Sequence, residues 1–170
     1  DKMRLTGSFA RFWCDSIISM EGPAHKEQRR IAMYALHPDF IASLVPSFRR
    51  TAIDLLNSMS DPCEFISEFS EPFAGRAITS LLNLPHEEAE WIAHDASRLG
   101  LAMGVDAKSH EPIFNAACDR LSDLARDLIA KAQKDPDENS MVARLCKAAK
   151  GAQISQQQLV DLVVIAIFGG

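Results

Sequence analysis

The strongest constraint on the fold lies near the end of the chain, where residues 159–168 are apolar on every side of a helix except at Asp161. Ser155 and Gln158 precede this segment with the spacing of a capping box, which predicts where the helix begins. A helix without a polar face is stable only when neighbouring elements cover it. We therefore expect this helix in the middle of a larger helical protein, with covering partners that lie beyond Gly170.

Helical periodicity dominates the remainder of the 170 residues, and the sequence contains no repeat and no low-complexity tract. After a loop-rich opening over residues 1–22, the predicted helices before the final one cover residues 23–36, 44–59, 69–82, 85–103, 111–134 and 140–150. Residues 63–66 are a candidate strand, which would need a pairing partner that the chain does not obviously supply. The predicted fold class is all-α and mainly helical, with about seven helices and at most one short strand, in a single domain over residues 1–170.

Composition and charge argue against several functional classes. The net charge is −5 and the lysines and arginines are scattered, which argues against nucleic-acid binding. The four cysteines lack the paired spacing of a disulfide framework or a zinc site, and they suit a reducing cytosol, so we expect a cytoplasmic protein. The longest uncharged apolar run, residues 162–168, is far shorter than the roughly 20 residues of a membrane-spanning helix, so no membrane association is evident.

Two basic side chains near the start of the first predicted helix form a candidate binding site. His25 and Arg29 are four residues apart, so they share one helical face, and Pro23 suits the first helical position. Such a pair can bind carboxylates, and Arg29 can do so through two parallel N–H bonds. Taken alone, the pair is more typical of an exposed helix start with ordinary solvated charges.

The context of this pair carries a resemblance to a known family. The stretch Ser-Ile-Ile-Ser-Met-Glu-Gly-Pro-Ala-His at residues 16–25, followed by Arg29 and Arg30, resembles the cytochrome P450 family of haem-thiolate monooxygenases, most of all its soluble bacterial members. In that family this segment begins the helix that crosses one edge of the haem. Further motifs follow in family order at residues 64–66, 81–85 and 162–170. Leu36 stands where the family often has Phe, which is a mild departure.

The resemblance implies a partial cytochrome P450 fold and haem b (iron protoporphyrin IX) as the cofactor, with His25 and Arg29 binding its propionates. It also implies that Gly169 and Gly170 allow dioxygen and substrate to approach the backbone of the final helix closely above the iron; the alternative is that these glycines only end the helix. The residues that the resemblance assigns to the wall of a substrate pocket are Met20, Ile165 and Phe168. The segment around Met20 is equally typical of a hydrophobic staple onto the first helix.

The resemblance implies a monooxygenase that inserts one atom of dioxygen into a small hydrophobic substrate, with electrons from a ferredoxin or a flavin reductase. The family's Glu-x-x-Arg helix and its cysteine loop are absent from the 170 residues, so no catalytic residue and no iron ligand is expected within this chain. We therefore expect a fragment that is inactive alone. Two alternatives stay open: a non-catalytic all-helical ligand- or partner-binding module, and a degenerate relative of the family.

Overall fold

The computed structural model describes residues 5–135 and 140–169. Within these ranges the chain forms eight α-helices joined by short 3₁₀ and π-helical turns, and it contains no strand. The helices are α1 (Gly7–Asp15), α2 (Gly22–Ala35), α3 (Pro38–Ser58), α4 (Glu71–Leu82), α5 (Ala89–Leu99), α6 (Glu111–Lys134), α7 (Met141–Ala149) and α8 (Gln156–Phe168). The predicted all-α fold class is confirmed.

Local sequence signals explain where several helices begin and end. The Ser155 hydroxyl accepts a hydrogen bond from the Gln158 N–H at 3.1 Å, and the Gln158 side chain accepts one from the Ser155 N–H at 2.7 Å, so the predicted capping box starts α8. The Ser140 hydroxyl accepts bonds at the start of α7 in a similar way. Asn83 ends α4 in the left-handed region with φ 55°, a conformation that asparagine adopts more readily than most residues.

The strand prediction for residues 63–66 is wrong, because the chain folds back on itself at this point. The carboxylate of Glu68 accepts hydrogen bonds from the backbone N–H groups of Ser60 at 2.7 Å and Glu64 at 2.8 Å. These hydrogen bonds close a loop over residues 60–68, so residues 63–66 do not pair with another strand. The π-helical turn Ile66–Ser70 follows and leads directly into α4.

Three helices differ from the sequence predictions in extent, and one of them, α5, is shorter than its predicted span of 85–103 because 3₁₀ turns flank it on both sides. The opening that was predicted to be loop-rich contains α1, a helix of little more than two turns whose Phe9 and Phe12 are buried. Helix α3 begins at Pro38, six residues before the predicted start, because proline is favourable in the first turn and the His37 side chain accepts a bond from the Asp39 N–H. Short helices and helix starts carry little periodic signal, which explains the errors in α1 and α3.

Helix α8 lies at the centre of the fold and packs against α1, α5, α6 and α7. Val163 and Val164 are fully buried, and in all seven of the 13 residues of α8 are buried. The expectation that the covering partners of this helix lie beyond Gly170 is therefore wrong, because the described chain already supplies most of the cover. The less covered part is near its end, where Ile165 and Phe168 are half-buried.

The close approach of α4 and α5 generates a first prediction. A Cβ atom at Gly75 would lie 2.9 Å from the backbone oxygen of Ala89, whereas a Cβ atom at Gly100 would meet nothing within 4 Å. We expect Gly75→Ala to lower the free energy of unfolding by about 1–3 kcal/mol, because the helices would have to separate. We expect Gly100→Ala to raise it by up to about 1 kcal/mol, because its φ of −62° suits alanine.

Urea unfolding followed by circular dichroism measures both effects. The two substitutions add the same methyl group, so the Gly100 variant is the matched control for the Gly75 variant. Equal changes in the two variants would contradict the close packing of α4 on α5.

Candidate functional site

The predicted pair of basic residues lies on the side of α2 next to its buried face. His25 and Arg29 are one helical turn apart, with His25 half-buried and Arg29 exposed. The buried face of α2 packs against α7 and carries Ile31 and Ala35. Because the two basic residues follow the same helical stripe beside this face, the packing of α2 on α7 fixes the direction in which they are presented.

Neither the His25 nor the Arg29 side chain makes a hydrogen bond or an ion pair with any residue of the described ranges. The neighbouring Arg30 differs, because it pairs with Glu27 at 2.8 Å and donates to the backbone oxygen of Ala148 at 3.3 Å. This ion pair lowers the pKa of Glu27 and keeps its carboxylate engaged with Arg30. The donors of His25 and Arg29 are therefore available to an acidic group from outside the described chain.

A second arginine connects α2 to α7 and explains why α2 is held firmly. Arg144 of α7 donates hydrogen bonds at 3.0 Å to the backbone oxygens of both Ala35 and Tyr34. Its guanidinium carbon also lies 5.2 Å from the centre of the Tyr34 ring and 5.1 Å from that of the Phe40 ring. These contacts satisfy carbonyl groups at the end of α2 that no helical N–H reaches.

Gln28 is a feature of α2 that the sequence prediction missed. Its side chain is 1% exposed, and neither its amide nitrogen nor its amide oxygen has a hydrogen-bond partner among the described residues. The signal was present in the sequence, because Gln28 shares the buried stripe with Ile31 and Ala35. An amide without a partner in such a position costs stability, since it has lost its bonds to water.

The predicted substrate residues of α8 belong to a stripe whose side chains are polar near the start of the helix and apolar near its end. Gln157, Asp161, Ile165 and Phe168 follow one another at spacings of four, four and three residues, so they share a face. The first two are polar and bonded to each other, with the Gln157 amide donating to the Asp161 carboxylate at 3.0 Å. Ile165 and Phe168 are apolar and half-buried, which suits the wall of a hydrophobic pocket.

The remaining predicted positions lie near the ends of elements. Gly169 follows α8 as its C-cap residue, and its N–H donates to the Ile165 backbone oxygen at 2.9 Å. Gly170 lies outside the described residues. Met20 is half-buried in the loop between α1 and α2. Two open hollows, of ≈ 410 and ≈ 390 Å³, are lined by residues of α4, α6, α7, α8 and the adjoining loops, and none of the predicted site residues lines them.

Asp161 is bound by an arginine that the sequence prediction did not connect with it. The two terminal nitrogens of Arg11 in α1 donate to the two Asp161 oxygens at 3.0 and 3.1 Å. Asp161 is 1% exposed, and its carboxylate raises the pKa of Arg11. This contact joins residues 150 positions apart, a separation across which sequence spacing carries no signal.

A second arginine–aspartate pair, again with a buried carboxylate and a partly exposed arginine, connects α5 to α6. Arg120 donates from Nε and from a terminal nitrogen to the Asp95 carboxylate at 2.6 and 2.5 Å, and Asp95 is 2% exposed. Separately, burial raises the pKa of the α6 thiol of Cys118, which lies near Arg11 and Asp161, to about 11, so this thiol stays protonated at neutral pH. Among the described residues, two arginine–aspartate pairs thus each join two helices.

The cysteines and the other candidate ligand types form no compact group. All four cysteines are free thiols, with Cys14 and Cys63 exposed. Across residues 5–135 and 140–169, no three histidine, cysteine or acidic side chains come close enough together to hold a metal ion. None of the helices in these ranges has both the length and the apolar character that a membrane crossing requires.

Comparison with known proteins identifies the architecture. No family model matches the sequence. The crystal structure of CalO2 superposes with a TM-score of 0.86 at 24% identity, covering 97% of this chain and 42% of CalO2. P450BioI, solved in complex with hexadec-9Z-enoic acid ligated acyl carrier protein, gives a TM-score of 0.83 at 19% identity, covering 95% of this chain and 42% of P450BioI.

The chain has the helical part of the cytochrome P450 fold. Cytochrome P450-SOY of Streptomyces griseus is 24% identical over 158 residues, which are 91% of this chain and 37% of that P450. Pentalenic acid synthase of Streptomyces avermitilis is 23% identical over 162 residues, which are 91% of this chain and 38% of that protein. The resemblance to cytochrome P450s is thus confirmed, and the chain spans less than half the length of the curated relatives it matches.

The buried amide of Gln28 generates a second prediction. Gln28→Met keeps a similar side-chain shape and removes both unpaired polar groups, so we expect the free energy of unfolding to rise by about 1–3 kcal/mol. Gln133→Met is the matched control, because Gln133 is exposed on α6 and its replacement should change stability by less than about 0.5 kcal/mol. Urea unfolding measures both variants. A loss of stability in Gln28→Met would show that the amide has a bonding partner.

Proposed function

We propose that this chain forms part of a haem-dependent monooxygenase of the cytochrome P450 type, which inserts one atom of dioxygen into a small hydrophobic substrate. The observation that carries the proposal is the pair of uncommitted basic side chains, His25 and Arg29, on α2 of a P450-like helical framework. A donor set of one imidazole and one guanidinium, with no acidic group bonded to either, suits the carboxylates of haem b.

In this proposal each residue has a limited task. His25 and Arg29 would bind the propionates of haem b and fix its edge against α2. A bound haem supplies the chemistry that activates dioxygen, with an iron ligand from outside this chain. Ile165 and Phe168 would exclude water and orient the hydrophobic substrate beside α8. The small residue Gly169 would leave room next to the α8 backbone, and we extend this role to Gly170 from the family motif.

The proposed electron donor is a ferredoxin or a flavin reductase. Lys26 is exposed on α2 and carries a charge that an acidic protein surface would attract, whereas Arg30 is engaged by Glu27. The contacts of the exposed α2 face therefore support Lys26 more strongly than Arg30 as part of a docking surface. The cytoplasmic location stays a prediction, supported by the two exposed free thiols.

The alternative of a non-catalytic helical module is less well supported. It explained the apolar final helix as a surface for dimerisation. Most of α8 is buried within the described chain, so this explanation has lost the exposed surface on which it depended. A degenerate relative without activity would keep the same fold, and only the chemistry of the full-length gene product separates it from the enzyme.

The propionate role generates a third prediction. We expect the full-length gene product, reduced and exposed to carbon monoxide, to show the absorption band of a thiolate-ligated haem. His25→Ala and Arg29→Ala should each weaken haem binding about tenfold or more, because each removes a charge-assisted hydrogen bond of about 1.5–3 kcal/mol. Haem titration followed by absorbance measures the affinities.

Lys26→Ala is the matched control, since it removes an exposed positive charge from the same helix at a residue with no proposed contact to the haem. It should leave haem affinity unchanged. The 170-residue chain alone should show no thiolate-type band and no activity. Unchanged haem affinity in both the His25 and Arg29 variants would contradict the proposed site.

A further inference from the structure

The buried carboxylate of α8 calls for an explanation beyond the stability of the fold. Asp161 is the one charged residue between Leu159 and Phe168, and it is 1% exposed. The Arg11 side chain is 36% exposed, so the contact is weak support for stability, and well-packed apolar residues of similar volume would do as well or better. Asp161 and Arg11 nevertheless form a bidentate pair at 3.0 and 3.1 Å. A bidentate contact is directional, so it restricts the orientation of α1 relative to α8.

The other attachments of α1 lead to a different helix. The Phe9 ring lies 5.0 Å from the Phe114 ring of α6, measured between ring centres. The Asn115 side chain of α6 accepts from the Phe9 N–H at 2.8 Å and donates to the Thr6 oxygen at 3.1 Å. These contacts hold the first half of α1 on α6. Arg11, in the second half of α1, reaches across to α8.

The loop after α1 is tied to the end of that helix. The Ser16 hydroxyl donates to the Trp13 backbone oxygen at 3.1 Å. The backbone oxygen of Ser16 accepts from the Ser19 N–H at 3.0 Å. Ser16 itself is 1% exposed. The position of residues 16–20, which end at Met20, therefore depends on how α1 is oriented.

Asp161 also lies on the stripe of α8 that carries the candidate pocket wall. Ile165 is one turn further along this stripe and Phe168 nearly two turns further. The part of the stripe at Asp161 is covered by α1, while Ile165 and Phe168 stay half-buried. The pair with Arg11 therefore lies next to the boundary between the covered and the open part of this face.

We propose that Arg11 and Asp161 are a positioning pair for the substrate pocket. Their bidentate contact sets the angle of α1 on α8 and so places residues 16–20, with Met20, beside the apolar wall formed by Ile165 and Phe168. The pocket itself rests on the proposed function. The orientation of α1 by the pair does not, because it concerns contacts within the described chain.

The test removes both charges together, so that no buried charge is left without a partner. The double variant Arg11→Met, Asp161→Leu should unfold at the same urea concentration as the parent or a higher one. In the full-length gene product, hydrogen exchange followed by mass spectrometry should nevertheless show residues 16–20 exchanging roughly tenfold faster or more. The control is Arg120→Met with Asp95→Leu, which removes the other arginine–aspartate pair between helices, together with the longer contact of Asp95 with Arg98 at 3.5 Å, and should leave exchange in residues 16–20 unchanged.

Three results would overturn the proposal: unchanged exchange in residues 16–20, an equal increase in the control variant, or an increase explained entirely by a fall in global stability. A second measurement connects the pair to the pocket. In the haem-loaded protein, the double variant should bind 4-phenylimidazole several-fold faster than the parent does, with little change for imidazole, because an open pocket admits the larger probe. Equal rates in variant and parent would refute the pocket role.

The failure of this proposal and that of the proposed function are distinguishable. A full-length gene product that binds no haem contradicts the proposed function, while the exchange measurement still decides whether the pair orients α1. A protein that binds haem normally but shows unchanged exchange contradicts the positioning pair alone.

Discussion

Removing α8 from water requires apolar surface from four other helices, and this requirement shapes the arrangement of the rest. Helices α5, α6 and α7 pack against it, and α1 adds cover from another side. Buried residues of α6 such as Leu121 and Ile129 complete the same apolar cluster. Because an amphipathic helix has only one apolar stripe, each of these helices is left with a polar side that faces water. The candidate sites lie at the margins of this packing.

The two candidate sites differ in how they are held. His25 and Arg29 project from a single helix that is fixed through its other face, so their spacing follows from the helix alone. The proposed pocket wall involves α8, α1 and the loop after α1, so its shape follows from contacts between residues far apart in the chain. A binding site for a rigid cofactor needs the fixed spacing that a single helix provides. A site for a variable substrate tolerates a shape that is set by contacts between distant elements.

The sequence was most informative where the signal is local. The bounds of α6 follow from Pro112 near its start and its apolar stripe, and the capping box marks the start of α8. Helix α1 was missed because little more than two turns carry little periodicity, and the segment before α4 was misread because a short apolar run suits a strand equally well. The sequence also placed His25 and Arg29 on one face. It gave no sign that both lack partners, or that Asp161 meets Arg11, because these facts depend on the three-dimensional packing.

Arg144 gives the helical framework a joint where three elements meet. One side chain of α7 binds the last carbonyls of α2 and lies against the Phe40 ring of α3. A force that a bound group exerts on α2 through its basic residues is therefore also borne by α7 and α3. As a result, α2 resists bending better than an isolated helix would. Helix α2 would thus hold a large bound group rigidly because of Arg144, a residue that does not contact that group.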